Sequence, residues 1–248
     1  MTNIKDVSGR EILDSRGNPT VEVTLTLEDG TVAVAGVPSG ASTGTFEAHE
    51  LRDGDAGRYG GLGVLRAVAF VNGELRDAIR GTDAASQLSL DARLQECDGT
   101  KNKSRVGANA ILGISLAAAR ATASSRGIPL YRYIAELSGN SLDPHQFPVP
   151  MFNILNGGKH SDSGLSVQEF KLVPSGVISY PEQLRAGSEI FHSLKKLLET
   201  DRFSTGVGDE GGFAPRLESH AQALEKINQA ISMAGYESGR QVFLGLDV

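Results

Sequence analysis

Two periodicities divide the first part of the chain. In TVEVTLTL (20–27) apolar and polar residues alternate, so Val21, Val23, Leu25 and Leu27 share one face of a strand. EDG (28–30) turns the chain and TVAVAGV (31–37) returns it, a hairpin signal, with VSGREIL (7–13) as a third strand. From residue 63 the spacing changes to three and four. Leu65, Val68, Val71, Leu75 and Ile79 predict one helix over 63–79. Asp83 stands where it could cap a further helical segment running to Leu94. Residues 106–126 predict a third helix, whose Ala, Gly and Ser allow close packing against another element. IPLYRYIAEL (128–137) predicts a fourth, with Pro129 near its start and Ser138-Gly139 at its stop.

The pattern breaks at SGNSLDPHQFPVP (138–150), which reads as a linker or boundary. Beyond it, PVPMFNIL (148–155) and SVQEFKLVP (166–174) read as strands around the loop NGGKHSDSG (156–164). Helices follow over 181–200 and 219–235, then a strand at QVFLGLDV (241–248). The expected fold is therefore an α+β domain over 1–138, antiparallel strands followed by helices, joined to the start of an α/β layout over 139–248. A closed eight-stranded barrel takes about 250 residues. Three candidate strands predict an incomplete barrel or a much smaller sheet.

Composition narrows the function classes. The 248 residues are 40% hydrophobic and 22% charged, ordinary values for a soluble globular protein. A formal charge of −6 with no basic cluster argues against general nucleic-acid binding. The one cysteine, Cys97, allows no intrachain disulfide. The N-terminus lacks an apolar signal core, and the apolar stretch 107–125 carries Asn109, Ser115, Arg120 and Thr122, so it reads as a buried helix and not a transmembrane span. The 30 glycines predict many turns or glycine-built ligand loops.

Three acids stand out. Glu169 shares a strand face with Val167 and Lys171, opposite Phe170 and Leu172. Asp247 lies near a strand end; it is either a site residue or an acid facing water. Glu210, beside Asp209, sits in TGVGDEGGFAPRL (205–217), among four glycines. Such a loop is either a surface turn or backbone kept bare for a ligand, and adjacent acids in a confined site can raise one pKa toward general-acid use. A phosphate-loop reading of GGKHS fails, because His160 follows Lys159 where Ser or Thr is required.

Taken together, DSRGNPTVEV (14–23), PSGASTG (38–44), ELRDGD (50–55), NKSRVGANAILGISLA (102–117), NILNGGKH (153–160), QEF (168–170), GDEGGFAP (208–215) and LGLD (244–247) resemble the enolase family, in its order and over essentially the whole chain. The resemblance implies a lyase, phosphopyruvate hydratase, that interconverts 2-phosphoglycerate and phosphoenolpyruvate in glycolysis. It implies an α+β N-terminal domain with a C-terminal barrel, a cytoplasmic homodimer when intact (with a surface or extracellular pool also compatible), and Mg²⁺ as cofactor. By motif, Glu210 would be the general acid, and His160, Gln168 and Glu169 would shape the substrate site. Asp247 would be the first ligand of the principal Mg²⁺, and Ser42, in PSGASTG, would join a second. The remaining metal acids and the lysine base would lie beyond Val248, so the resemblance implies an N-terminal portion that is inactive alone. HSDSG (160–164) and Leu62 depart from the family pattern. The alternatives are an acid-sugar dehydratase of the wider superfamily and a non-catalytic binding or structural protein that keeps the same domains.

Overall fold

The computed structural model describes residues 2–40, 44–141, 147–158 and 163–248. It divides into two compact units, Met1–Asp143 and Pro144–Val248.

The first unit opens with three antiparallel strands in the order β1 (Ile4–Leu13), β2 (Pro19–Leu27), β3 (Val32–Gly36). Val21, Val23, Leu25 and Leu27 of the central strand are all fully buried, as their alternation predicts. The helix α4 (Ala108–Ser125) covers this face; its small residues let it come close. A Cβ added to Gly113 would lie 2.6 Å from Val23 Cγ2 and 3.1 Å from Val37 Cγ2. The buried amide of Asn109 is satisfied by Leu51, whose N–H it accepts at 3.2 Å and whose carbonyl it donates to at 3.1 Å. A polar residue in an apolar helix thus ties ELRDGD to the core without an orphaned group.

The expected single helix over 63–79 is interrupted. It consists of α1 (Leu65–Phe70), a π-helical turn (Val71–Leu75) and α2 (Arg76–Ile79). Gly73, at φ −118° and ψ −105°, leaves helical geometry inside that turn. The widened turn brings Asn72 to β1, where its side chain accepts from Gly9 N (2.7 Å) and donates to Gly9 O (3.0 Å). Such π-turns sit mostly within α-helices as single insertions. Val71, Leu75 and Ile79 are buried, while Leu65, at the start of α1, is half exposed. Asp83 does not cap α3 (Gln87–Asp98), whose N-cap is Ser86. Three residues upstream, its carboxylate instead accepts from Thr2 Oγ1 (2.5 Å) and Ala85 N (3.0 Å).

At the other end of α3, buried Asp98 organises the turn that leads to α4. It accepts from the backbone N–H of Thr100 (2.9 Å), Arg105 (3.0 Å) and Val106 (2.8 Å). Burial alone would raise its pKa, but these hydrogen bonds and that from the Thr100 hydroxyl win, holding it below the ordinary value. The helix α5 (Leu130–Ser138) closes the unit's described secondary structure, ending at Gly139 in the left-handed conformation.

The second unit has its own core and a three-stranded sheet, β4 (Phe152–Asn156), β5 (Glu169–Val173) and β6 (Phe243–Asp247), in that order with both pairs antiparallel. Three strands do not close a barrel. One helix between two strands returns a parallel strand; here two, α6 (Tyr180–Thr200) and α7 (His220–Met233), intervene between β5 and β6, and the second reversal makes β6 antiparallel. The two helices pack on each other, with Ile190, Leu194, Leu198, Ile227 and Ile231 buried in the unit's core. Ser219 caps α7, accepting from Gln222 N at 3.2 Å, while Gln222 Oε1 accepts from Glu218 N at 2.8 Å.

Two stability outcomes follow for the first unit. Gly113→Ala should lower its stability by about 1–3 kcal/mol in urea denaturation, because overpacking against β-branched Val23 outweighs alanine's helix propensity; stabilisation would contradict the close approach. Because the Asp98 pKa is depressed, its contribution is present above the ordinary aspartate value of 3.8 and is lost as pH falls through the lower folded value. Asp98→Asn should therefore flatten the acid limb of the stability–pH profile, and an unchanged limb would count against this role.

Candidate functional site

β5 sorts its side chains by alternation. Phe170 and Leu172 enter the core, and Glu169 and Lys171 point to the opposite face. β6 continues that face, since Glu169 pairs with Asp247 and Lys171 with Gly245. Gly245, with no side chain, leaves the space beside Lys171 open. The Lys171 ammonium forms an ion pair with Glu169 and lies 3.6 Å from Asp247 Oδ2. The three side chains are unequally covered: Glu169 is 12% exposed, Lys171 24% and Asp247 52%. The hydrogen bond that Lys171 donates to Glu169, reinforced by the charges of both carboxylates, raises the Lys171 pKa despite partial burial. At neutral pH Lys171 is therefore a fixed cation and not a proton acceptor.

β4 supplies the other side of the face through an irregularity. Asn153 pairs with Lys171 and Asn156 with Glu169, with a register shift between Asn153 and Leu155. The extra residue lets Ile154 and Leu155 both be buried and turns Asn153 and Asn156, three apart, to the same face. Two rows result: Asn153–Lys171–Gly245 and Asn156–Glu169–Asp247. Both polar atoms of the Asn153 amide are buried and lack a hydrogen-bond partner among the described residues.

The glycine-rich loop is seated on this arrangement. Gly211 N donates to Gly208 O at 3.1 Å, closing a turn with Asp209 and Glu210 at its centre, and Gly208 N donates to Gly212 O at 2.8 Å. Gly211, at φ +83°, takes a conformation that side chains resist. Past the turn, Phe213 hydrogen-bonds along β4, donating to Ile154 O (3.0 Å) and accepting from Asn156 N (2.9 Å). Its ring stacks on Phe191 of α6 at 4.4 Å between centroids. Asn156 Oδ1 accepts from Gly212 N at 2.9 Å, so the residue that begins the Glu169–Asp247 row also holds the base of the turn. Glu210 is thus an exposed acid on a rigidly anchored turn, which is what distinguishes it from an acid on an unconstrained surface loop.

The remaining sequence candidates are distributed as follows. Gln168 ties the site together through its backbone, its N–H donating to Asp247 O (2.9 Å) and its carbonyl accepting from Gly157 N (2.9 Å). His160 and Ser42 lie outside the described residues. The described base of the Ser42 loop is held by two arginines of the first unit. Arg16 donates to Ser39 O (3.0 Å) and Gly40 O (3.3 Å), and Arg52 to Ser39 Oγ (2.9 Å). Three contributors escaped the sequence reading. Asn156 and Asn153 were hidden by the bulge, for which the signal is two adjacent aliphatics between two asparagines. His220 Nε2 accepts from Ser166 N at 3.1 Å and so orders the entry to β5; a lone histidine at a helix start carries no such signal.

Among the described residues no group of three or more His, Cys, Asp or Glu side chains is arranged to hold a metal ion. No described helix is long and apolar enough to cross a membrane.

The seat of the loop is testable by substitution. A Cβ on Gly212 would meet Asn156 Oδ1 at 2.6 Å and Leu155 N at 2.8 Å, whereas one on Gly206 meets only Ser204 Oγ at 3.4 Å. Gly212→Ala should cost about 1–3 kcal/mol in denaturant unfolding of the second unit, and Gly206→Ala within about 0.5 kcal/mol. Equal effects at the two glycines would contradict the tight seat.

Comparison with known families covers both units. The model for "Enolase, N-terminal domain" matches residues 4–134, and that for "Enolase, C-terminal TIM barrel domain" matches residues 144–248. The first match alone spans more than half of the chain, and its antiparallel sheet with packed helices is the unit described above. The acids on one face of β5 and β6 and the acid-bearing turn lie within the second match. The chain belongs to the enolase family.

Proposed function

We propose that this protein dehydrates 2-phospho-D-glycerate reversibly to phosphoenolpyruvate, with Glu210 as the general acid. The family is one of lyase-type enzymes, which makes elimination of water the natural reaction class. The observation that best supports the assignment is the anchored turn: Glu210 stands on backbone fixed to Asn156, in the sheet row that also carries Glu169 and Asp247. In the elimination a base takes the proton from C2, the electron pair forms the C2–C3 double bond, and the C3 hydroxyl departs. Hydroxide is a poor leaving group; a proton from Glu210 lets it leave as water. Glycines around the acid leave room for a small, highly charged substrate. Glu169, Gln168 and His160 are the groups proposed to shape its site. Lys171, charged and ion-paired, is not the base.

Mg²⁺ belongs to this reading through the family resemblance, with Asp247 as ligand to the principal ion and Ser42 to a second. The described residues do not fit such a centre. Mg²⁺ seeks near-octahedral oxygen coordination, while among the described residues the carboxylates of Glu169 and Asp247 already face the Lys171 ammonium. No step is therefore routed through a metal. The same reading carries with it a homodimer, a cytoplasmic location and a place in glycolysis.

In the full-length natural chain, Glu210→Gln should retain the fold by circular dichroism and lower the kcat for phosphoenolpyruvate formation by about 10²–10⁴-fold. A kcat indistinguishable from that of the unsubstituted protein would remove Glu210 from the acid's role.

A further inference from the structure

The disagreement between the cation expected at Asp247 and the groups that stand there has a physical content of its own. Lys171 is not a surface lysine paired by chance. Its side chain is three-quarters buried, its ammonium pairs with Glu169 and lies 3.6 Å from Asp247, and strand register puts all three on one face. The lysine lies one pleat along β5 from Glu169, and Gly245 opposite offers no side chain to deflect it. On the other flank, the Asn153 amide is buried without a partner among the described residues, an oxygen and a nitrogen aimed at the same face. An unsatisfied buried amide is costly and marks a place where a polar ligand or ion would be welcome.

We propose that Lys171 is a built-in counter-cation for Glu169 and Asp247, and that a divalent cation binds Asp247 only by displacing or repelling this ammonium. Two carboxylates held close together repel one another and attract cations. A tethered ammonium settles both without a metal, because its effective concentration is set by the strand itself. A metal arriving at Asp247 meets a positive charge already in place 3.6 Å from Oδ2, and the neighbouring Glu169 carboxylate is already paired with it. The consequence is a site whose cation affinity is tuned down by one side chain. The inference uses the proposed function only in taking Asp247 as the cation's ligand, and its readout is binding, so loss of dehydration activity and loss of this competition are separable results.

The test uses Mn²⁺ as probe, with free ion counted by electron paramagnetic resonance, on the full-length natural chain and its variants. Lys171→Met should bind Mn²⁺ about tenfold or more tightly than the unsubstituted protein, equivalent to about 1.4 kcal/mol. Lys171→Arg, which keeps the charge, should not gain. Adding Asp247→Asn to Lys171→Met should abolish the gain. If Lys171→Met does not fold by circular dichroism, Lys171→Gln, neutral and polar, carries the same expectation. Equal affinity in the neutral variant and the unsubstituted protein would overturn the proposal. So would a gain in Lys171→Arg, or a gain that survives Asp247→Asn.

Discussion

The period of two along β5 is the constraint on which the second unit's site depends. Phe170 and Leu172 must be buried for the sheet to pack on α6 and α7, and a slip by one residue would drive Glu169 and Lys171 into that core. Burying those charges without their present partners would cost more than the sheet gains. The hydrophobic requirement therefore fixes the register, and the register gathers Glu169, Lys171 and Asp247 on the opposite face. The candidate site is placed by what the core excludes.

The same economy of means holds the acid-bearing turn. Nothing in residues 208–212 can bury apolar surface, so the turn cannot hold itself. It is positioned from its ends, by Phe213 hydrogen-bonded along β4 and stacked on Phe191, and by Asn156 at the amide of Gly212. In the first unit the analogous devices are Asp98 at the end of α3 and Asn109 within α4. Each is a buried polar group that satisfies backbone donors or acceptors where helix and loop meet.

Most of the fold was legible because it rests on periodicity. The strand faces of β2 and β5, and the long helices α4, α6 and α7, follow from apolar spacing alone. Three features resisted because they depend on one extra residue or on a distant partner. The π-turn at Val71–Leu75 leaves the apolar spacing of a continuous helix intact, so the pattern predicts one helix where the structure has three segments. The bulge at Ile154 breaks simple alternation and concealed the shared face of Asn153 and Asn156. Asp83 has the residue type of a cap, yet its carboxylate accepts from Thr2, Ala85 and the Ser86 hydroxyl and from no helical N–H of α3. In the site, Glu169 and Asp247 could be singled out singly, but the lysine between them required the pairing of β5 with β6.

Whether these charges form one coupled unit can be asked without substrate or metal. A double-mutant cycle with Lys171→Met and Glu169→Gln, followed by urea denaturation, isolates their pairwise energy. A favourable coupling of at least about 0.5 kcal/mol is expected for a partly buried pair in contact. Additive effects, with no coupling beyond error, would mean that the ammonium does not hold the carboxylate, and the site as described would not stand.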